Sequence, residues 1–234
     1  MRALLLVPVV VLMAVPAAAQ PRKAPQEPTV SAAGQAIVRR APDQAFVTIA
    51  TESRAPRPEA AQQANARAME KVRKKLRDEK IPDAAIRTMS FNLREDFDYT
   101  SGGRVSRGFV VTNAIEVRVD DLSRLGRLID EVVESGATSI SGIRFELKDR
   151  EAAEREALRQ AVEDARARAE ALAAGAGLRI VRVQSVADHG VEQAPPPMPM
   201  MRMEARADAA QTPMAPGEIE IRASVHLTAV VAPR

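Results

Sequence analysis

Apolar residues recur along this chain at two spacings, every second position and every third or fourth, and the changes between them divide it into elements. Ser31–Arg40 and Gln44–Glu52 alternate as strands around an Ala41-Pro42-Asp43 turn, with Ala45, Val47 and Ile49 turned to a core. Asp43 reads as a turn-former rather than a catalytic acid. From Pro58 to Lys80 the period lengthens: Ala61, Ala64, Ala68, Met69, Val72 and Leu76 form the stripe of a helix that Ile81-Pro82 stops. Asn65 interrupts that stripe and is expected to hydrogen-bond its neighbours as a structural contact. Thr88–Tyr99 and Arg107–Val119 then alternate again, joined through Gly102-Gly103, and predict a long hairpin. Met89, Phe91, Leu93, Phe97 and Tyr99 are expected to share one face, and Phe109, Val111, Ile115, Val117 and Val119 one on the partner strand. Glu95, Asp96 and Asp98 near its tip read as a solvated cluster, because alternation turns Glu95 away from the other two.

A second helix carries Leu122, Leu125, Leu128, Ile129, Val132 and Val133 inward, capped by Asp120 or Asp121 and closed by Gly136. The strand after it turns Ile143, Phe145 and Leu147 one way, with Gly142 marking a bulge. Asp149 then caps a helix of roughly 26 residues, about 39 Å long. Its predicted stripe is Leu158, Ala161, Val162, Ala165, Ala169, Leu172 and Ala176, mostly alanine, so the surface beneath can approach closely. Gly175 or Gly177 ends it, and Leu178–Val186 reads as a strand. Residues 189–216 lose all periodicity and read as a proline- and methionine-rich loop. In the last strand Ile219, Ile221, Ala223, Val225, Leu227, Ala229 and Val231 point inward, and Glu220, Arg222, Ser224, His226 and Thr228 outward. This order predicts an α+β fold, with three helices packed on antiparallel sheets.

The segment AVEDARARAEALAAGAGLRIVRVQSV, together with Gly34, Ala36, Val38, Pro42, Asp43 and Ala45 and the islands around Leu125-Gly126, Leu128-Ile129-Asp130 and Gly142-Ile143, resembles the SIMPL-domain family of secreted bacterial proteins. The resemblance runs from Ser31 to Val231, and 31–234 is expected to be one SIMPL-like domain. It implies an envelope protein of the oxidative-stress-defence or immunogen type. It also implies self-association, since one family member assembles into rings.

The first residues fit export. Arg2, an apolar run from Ala3 to Val15 and the Ala17-Ala18-Ala19 site predict a signal peptide over 1–19, followed by a flexible leader over 20–30. The expected location is the periplasm or beyond, with no transmembrane helix in the mature chain. With no cysteine, the chain has no disulfide to staple it. A formal charge of +3 over 234 residues, with both signs interleaved, does not suggest nucleic acid. The basic run Lys71–Lys75 could touch anionic lipid but reads first as a solvated helical face.

Candidate chemistry is sparse. Gly102-Gly103 and Gly175/Gly177 are a turn and a helix end, not a phosphate loop, and no serine sits in a nucleophile elbow. The two histidines, His189 and His226, are not at metal-ligand spacing. No catalytic residue, cofactor or confident metal site is assigned, and the expected function is non-enzymatic: a self-associating envelope protein that supports oxidative or envelope stress tolerance. The one unusual run is Met198, Met200, Met201 and Met203. Their thioethers suit Cu(I), can consume oxidants as sulfoxides, or serve as adaptable contacts. Cu(I) binding or oxidant consumption by this segment is the alternative function.

Overall fold

The computed structural model describes residues 27–100, 103–193 and 214–234. The expected signal peptide, most of the leader and the four methionines of the 198–203 run lie outside these residues. Among the described residues the order is β1 (Thr29–Arg40), β2 (Gln44–Ala55), α1 (Pro58–Asp78), β3 (Ile86–Thr100), β4 (Gly103–Val119), α2 (Leu125–Glu134), β5 (Ser139–Glu146), α3 (Arg150–Gly175), β6 (Leu178–Gln193) and β7 (Ile219–Pro233). The fold is α+β, with two antiparallel sheets ordered β1-β7-β6 and β3-β4-β2-β5. Several strands run longer than expected. β1 begins at Thr29, within the expected leader, and β6 runs on to Gln193, into the expected loop.

The four-stranded sheet carries α1 and α2 on one face. Val47, Ile49, Ile115, Val117 and Val119 from the strands meet Met69, Val72, Leu76, Leu125, Leu128, Ile129 and Val132 from the helices. Removing this much apolar surface from water drives the layer together. Asn65 is fully buried and donates through Nδ2 to the carbonyls of Thr51, 2.9 Å, and Val111, 3.1 Å, so it ties α1 to β2 and β4. Gly142 stands in a bulge where β5 slips one residue against Val47 and Thr48 of β2, at a φ of 64° that favours glycine. Asp43 does not bond within its own turn. Its Oδ1 accepts from the Lys148 amide at 2.7 Å, because β5 returns beside the β1–β2 turn and leaves that amide without a strand partner.

The three-stranded sheet has a different kind of core. The buried residues of α3 are Ala153, Ala157, Ala161, Ala165, Ala169 and Ala173, an unbroken i,i+4 ladder. The broader expected stripe is therefore corrected: Leu172 is 54% exposed, Leu158 and Val162 only flank the ladder, and Ala176 is exposed. A row of i,i+4 positions runs obliquely to a helix axis. Bulkier residues beside that row are left at the margin of a narrow contact. At its centre is Gly34 of β1, where an added Cβ would lie 2.1 Å from the Ala161 carbonyl oxygen and 2.3 Å from the Ala165 nitrogen. Helix and strand thus meet backbone to backbone.

Beside this contact, Asp164 Oδ2 accepts the Gln35 backbone amide at 2.9 Å. That bond, opposed by partial desolvation and helped by Arg168, holds the carboxyl below the usual aspartate range. Asp149 caps α3, accepting from the Ala152 amide at 2.8 Å. Met214 lies against the first core although β7 belongs to the second sheet, so the chain entering β7 links the two halves.

Gly34→Ala should cost at least about 3 kcal/mol, since the atoms that the new methyl meets are main chain and cannot turn aside. Ala165→Leu should behave similarly, whereas Ala167→Leu, on an exposed position, should leave the denaturation midpoint unchanged. Urea denaturation of the three variants checks both expectations. A depressed carboxylate pKa contributes stability above the unfolded value that is lost as pH falls through the folded one. The gap in melting temperature between wild type and Asp164→Ala should therefore be full at pH 7 and close below about pH 4.

Candidate functional site

Edges and open faces of the two sheets hold the features available for function. α1 rests on β2 and β4 and stops short of β3. The apolar positions of β3 beyond Ile86 are consequently uncovered, with Met89 at 50%, Phe91 at 54% and Leu93 at 43% exposure. Phe91 and Leu93 do lie opposite Asn113 and Val111, on the helix side, but the helical layer is one strand too narrow to reach them. Tyr99 and Val105, further along the arm, are also exposed. The register of β3 against β4 shifts at Thr88/Ser90 and at Asp96/Phe97, which leaves Ser90–Asp96 as a regular edge segment.

The acidic cluster at the arm is matched by arginines rather than gathered around a cation. Asp96 meets Arg54 at 2.9 Å and Arg94 at 3.5 Å, Asp98 meets Arg107 at 3.3 Å, and Glu95 accepts from the Ser106 hydroxyl at 2.7 Å. Arg104 also stacks 3.3 Å above the Phe97 ring. The edge opposite β3 is the short β5; in the other sheet β1 runs regularly along β7 with α3 packed over it, whereas β6 slips three times against β7. Such irregularity blunts an edge against pairing.

The outer face of the four-stranded sheet carries a row of polar side chains. Glu116 on β4, only 4% exposed, is held by Arg87 of β3 at 2.7 Å and Arg144 of β5 at 3.5 Å. Arg144 also binds Glu146 at 2.5 Å and lies 4.8 Å over the Phe46 ring; its guanidinium is held above the usual arginine value first by Glu146. Arg118 sits 3.3 Å from Asp120. Each arginine faces a carboxylate, so this row staples the strands and leaves no surplus charge for an anion. Sequence reading missed it because Arg87, Glu116 and Arg144 come from three strands, and only register brings them together.

The same holds for the histidines. His189 on β6 and His226 on β7, expected to be isolated, stand edge to face with ring centroids 6.2 Å apart. Pairing the strands on either side of the Pro/Met-rich segment as a hairpin would have revealed them. No group of three or more His, Asp or Glu side chains placed to hold a metal ion occurs among the described residues. The run Met198, Met200, Met201 and Met203 lies outside the described residues.

The sequence model of the SIMPL family, described as a protein of unknown function (DUF541), matches residues 30–229. The chain belongs to the SIMPL family. It is 27% identical over 223 residues to the 26 kDa periplasmic immunogenic protein of Brucella melitensis biotype 1, covering 91% of this chain and 88% of that one. The protein of the same name from Brucella abortus strain S19 matches equally, at 27% over the same lengths. The uncharacterized protein YggE of Escherichia coli K12 is 28% identical over 196 residues, 82% of this chain and 77% of its own. Relatives described as periplasmic support an exported protein. Among the described residues no helix is long and apolar enough to cross a membrane.

Glu116→Ala should cost about 1–3 kcal/mol, since it strips two arginines of a shared buried acceptor. Arg87→Ala should cost less than about 1 kcal/mol, because that side chain is 66% exposed and its pairing is screened by water. Thermal melts at pH 7 distinguish the two.

Proposed function

We propose that the chain is a non-enzymatic exported envelope protein that assembles with copies of itself through the β3 edge, and that this assembly supports tolerance of oxidative or envelope stress. The observation that carries this reading is the uncovered apolar edge. Met89, Phe91 and Leu93 stand on a strand of 15 residues whose outer backbone groups pair with no other strand of the sheet. A long, regular, apolar edge is a template for another strand unless something occupies it.

A second β3 fits it antiparallel. A two-fold axis through Asn92 sets Phe91 of each copy against Leu93 of the other, within the regular Ser90–Asp96 stretch. The contact is then isologous, the same patch on both copies. Cross-strand apolar pairs of this kind each stabilise a sheet by roughly 0.2–1 kcal/mol beyond the backbone bonds. The self-association implied by the family resemblance points the same way, and this two-fold contact by itself closes a dimer.

Light scattering on the wild-type mature protein and on Phe91→Lys tests the contact. The expected result is an oligomer reduced to single-chain mass by the lysine, with a single chain that still melts cooperatively because Phe91 is 54% exposed and belongs to neither core. A variant lacking residues 194–213 should keep the oligomer. A wild-type protein of single-chain mass, or a Phe91→Lys protein of unchanged mass, overturns the reading. Oxidant survival of cells carrying either form then reports whether assembly serves tolerance.

A further inference from the structure

We propose that His189 and His226 form a two-imidazole binding site for a late first-row divalent ion, Cu(II) above all and Zn(II) after it. The site lies on the open face of the β1-β7-β6 sheet, away from the β3 edge, and is independent of assembly. β7 turns Arg222, Ser224 and His226 outward while its alternate residues pack against α3. On β6 the register slips between Asp188, opposite Val225, and Val191, opposite Ala223, so His189 and Gly190 together face Ser224. Gly190 takes a φ of 99° and gives its amide to Asp188 Oδ1 at 2.8 Å, which closes a small turn inside the strand. The bulge thereby sets His189 diagonally across from His226 on one face.

The distance suits a shared ion. With metal–nitrogen bonds of about 2.0–2.1 Å, two imidazoles on one ion place their centroids roughly 4.5 Å apart at a right angle and about 6.4 Å apart when opposed. The observed 6.2 Å falls inside that window, so side-chain rotation alone can complete the site. Both rings are exposed, and neither makes a hydrogen bond or ion pair among the described residues. Their nitrogens are free to bind. Arg222, on the same face of β7, is held by Glu220 at 3.0 Å, which reduces its repulsion of an incoming ion.

Ligand type sets the choice of metal. Neutral imidazole is a borderline donor, and affinities for such sites rise through the divalent series to Cu(II). Mg(II) and Ca(II) need oxygen ligands that this face does not assemble. Water fills the remaining coordination positions, so the ion stays open to exchange. Because the chain contains only these two histidines and no cysteine, the site has no competing imidazole or thiolate.

Calorimetric titration of the full mature chain with Cu(II) and Zn(II), with Mg(II) as control, tests the proposal. The expected result is one Cu(II) per chain, weakened at least about tenfold by His189→Gln or by His226→Gln, and unaffected by Ser224→Ala. In the wild type, NMR should show Cu(II) broadening both imidazole C–H signals together, a reading that needs no variant. Absence of saturable one-to-one binding, retention of affinity in either histidine variant, or broadening of one ring alone overturns it. All readouts are per chain, so a failure here leaves the assembly reading untouched, and the reverse also holds.

Discussion

Helix α3 lies against β1 with no side chain larger than a methyl between their main chains at Gly34, and the three-stranded sheet takes its form from that approach. A separation this small requires glycine on the strand and alanine at each i,i+4 position of the helix that faces it. Dispersion between closely packed backbones replaces the interlocking of large side chains found under α1 and α2. Smooth surfaces fix register poorly, and a polar bond at the contact margin compensates. The Asp164–Gln35 bond, which joins helix to strand, defines how far along its axis, and at what rotation, the helix sits.

The two sheets therefore solve the same problem differently. The four-stranded sheet buries branched and long side chains under a pair of helices and ties its opposite face with the Glu116 row. The three-stranded sheet uses one long helix on one face and leaves the other to short polar residues and two imidazoles. Neither helical layer spans its whole sheet. In the first, the shortfall exposes β3; in the second, α3 reaches β6 only in part, with Ile180 and Val191 packed beneath it and Val181, Val183 and Val186 exposed, and there repeated slips in register roughen the edge.

Local patterning carried most of the fold. The period of two in β2 and β7, the caps at Asp121 and Asp149, the Gly142 bulge and the structural role of Asn65 were all legible, because each depends on a few neighbouring residues. The width of the helical layer was not. Phe91 and Leu93 alternate as core residues do, and nothing within the strand records that α1 ends its reach at β4. The α3 stripe shows the same limit: Leu172 has the right spacing and the right chemistry, yet a contact as narrow as the one over Gly34 excludes it. Candidate sites suffered most, since the Glu116 row and the two histidines exist only once strand partners and register are known.

Strand order also constrains the route by which the molecule is made. Among the described residues β1, the first strand, pairs with no strand but β7, the last, with Thr29 opposite Val230 and the Val231 amide bonded to the Pro28 carbonyl. For a chain that crosses a membrane beginning at its N-terminus, β1 emerges first and waits for β7. During that interval the β3-β4-β2-β5 sheet can close on its own helices, but α3 has no completed surface to lie on. Pairing between such distant segments is slow, which keeps the unfinished chain loose while the export machinery still holds it. β1 is suited to that delay: Ser31-Ala32-Ala33-Gly34-Gln35-Ala36 is small and weakly apolar, and Arg39-Arg40 adds charge, so the waiting strand is a poor seed for aggregation.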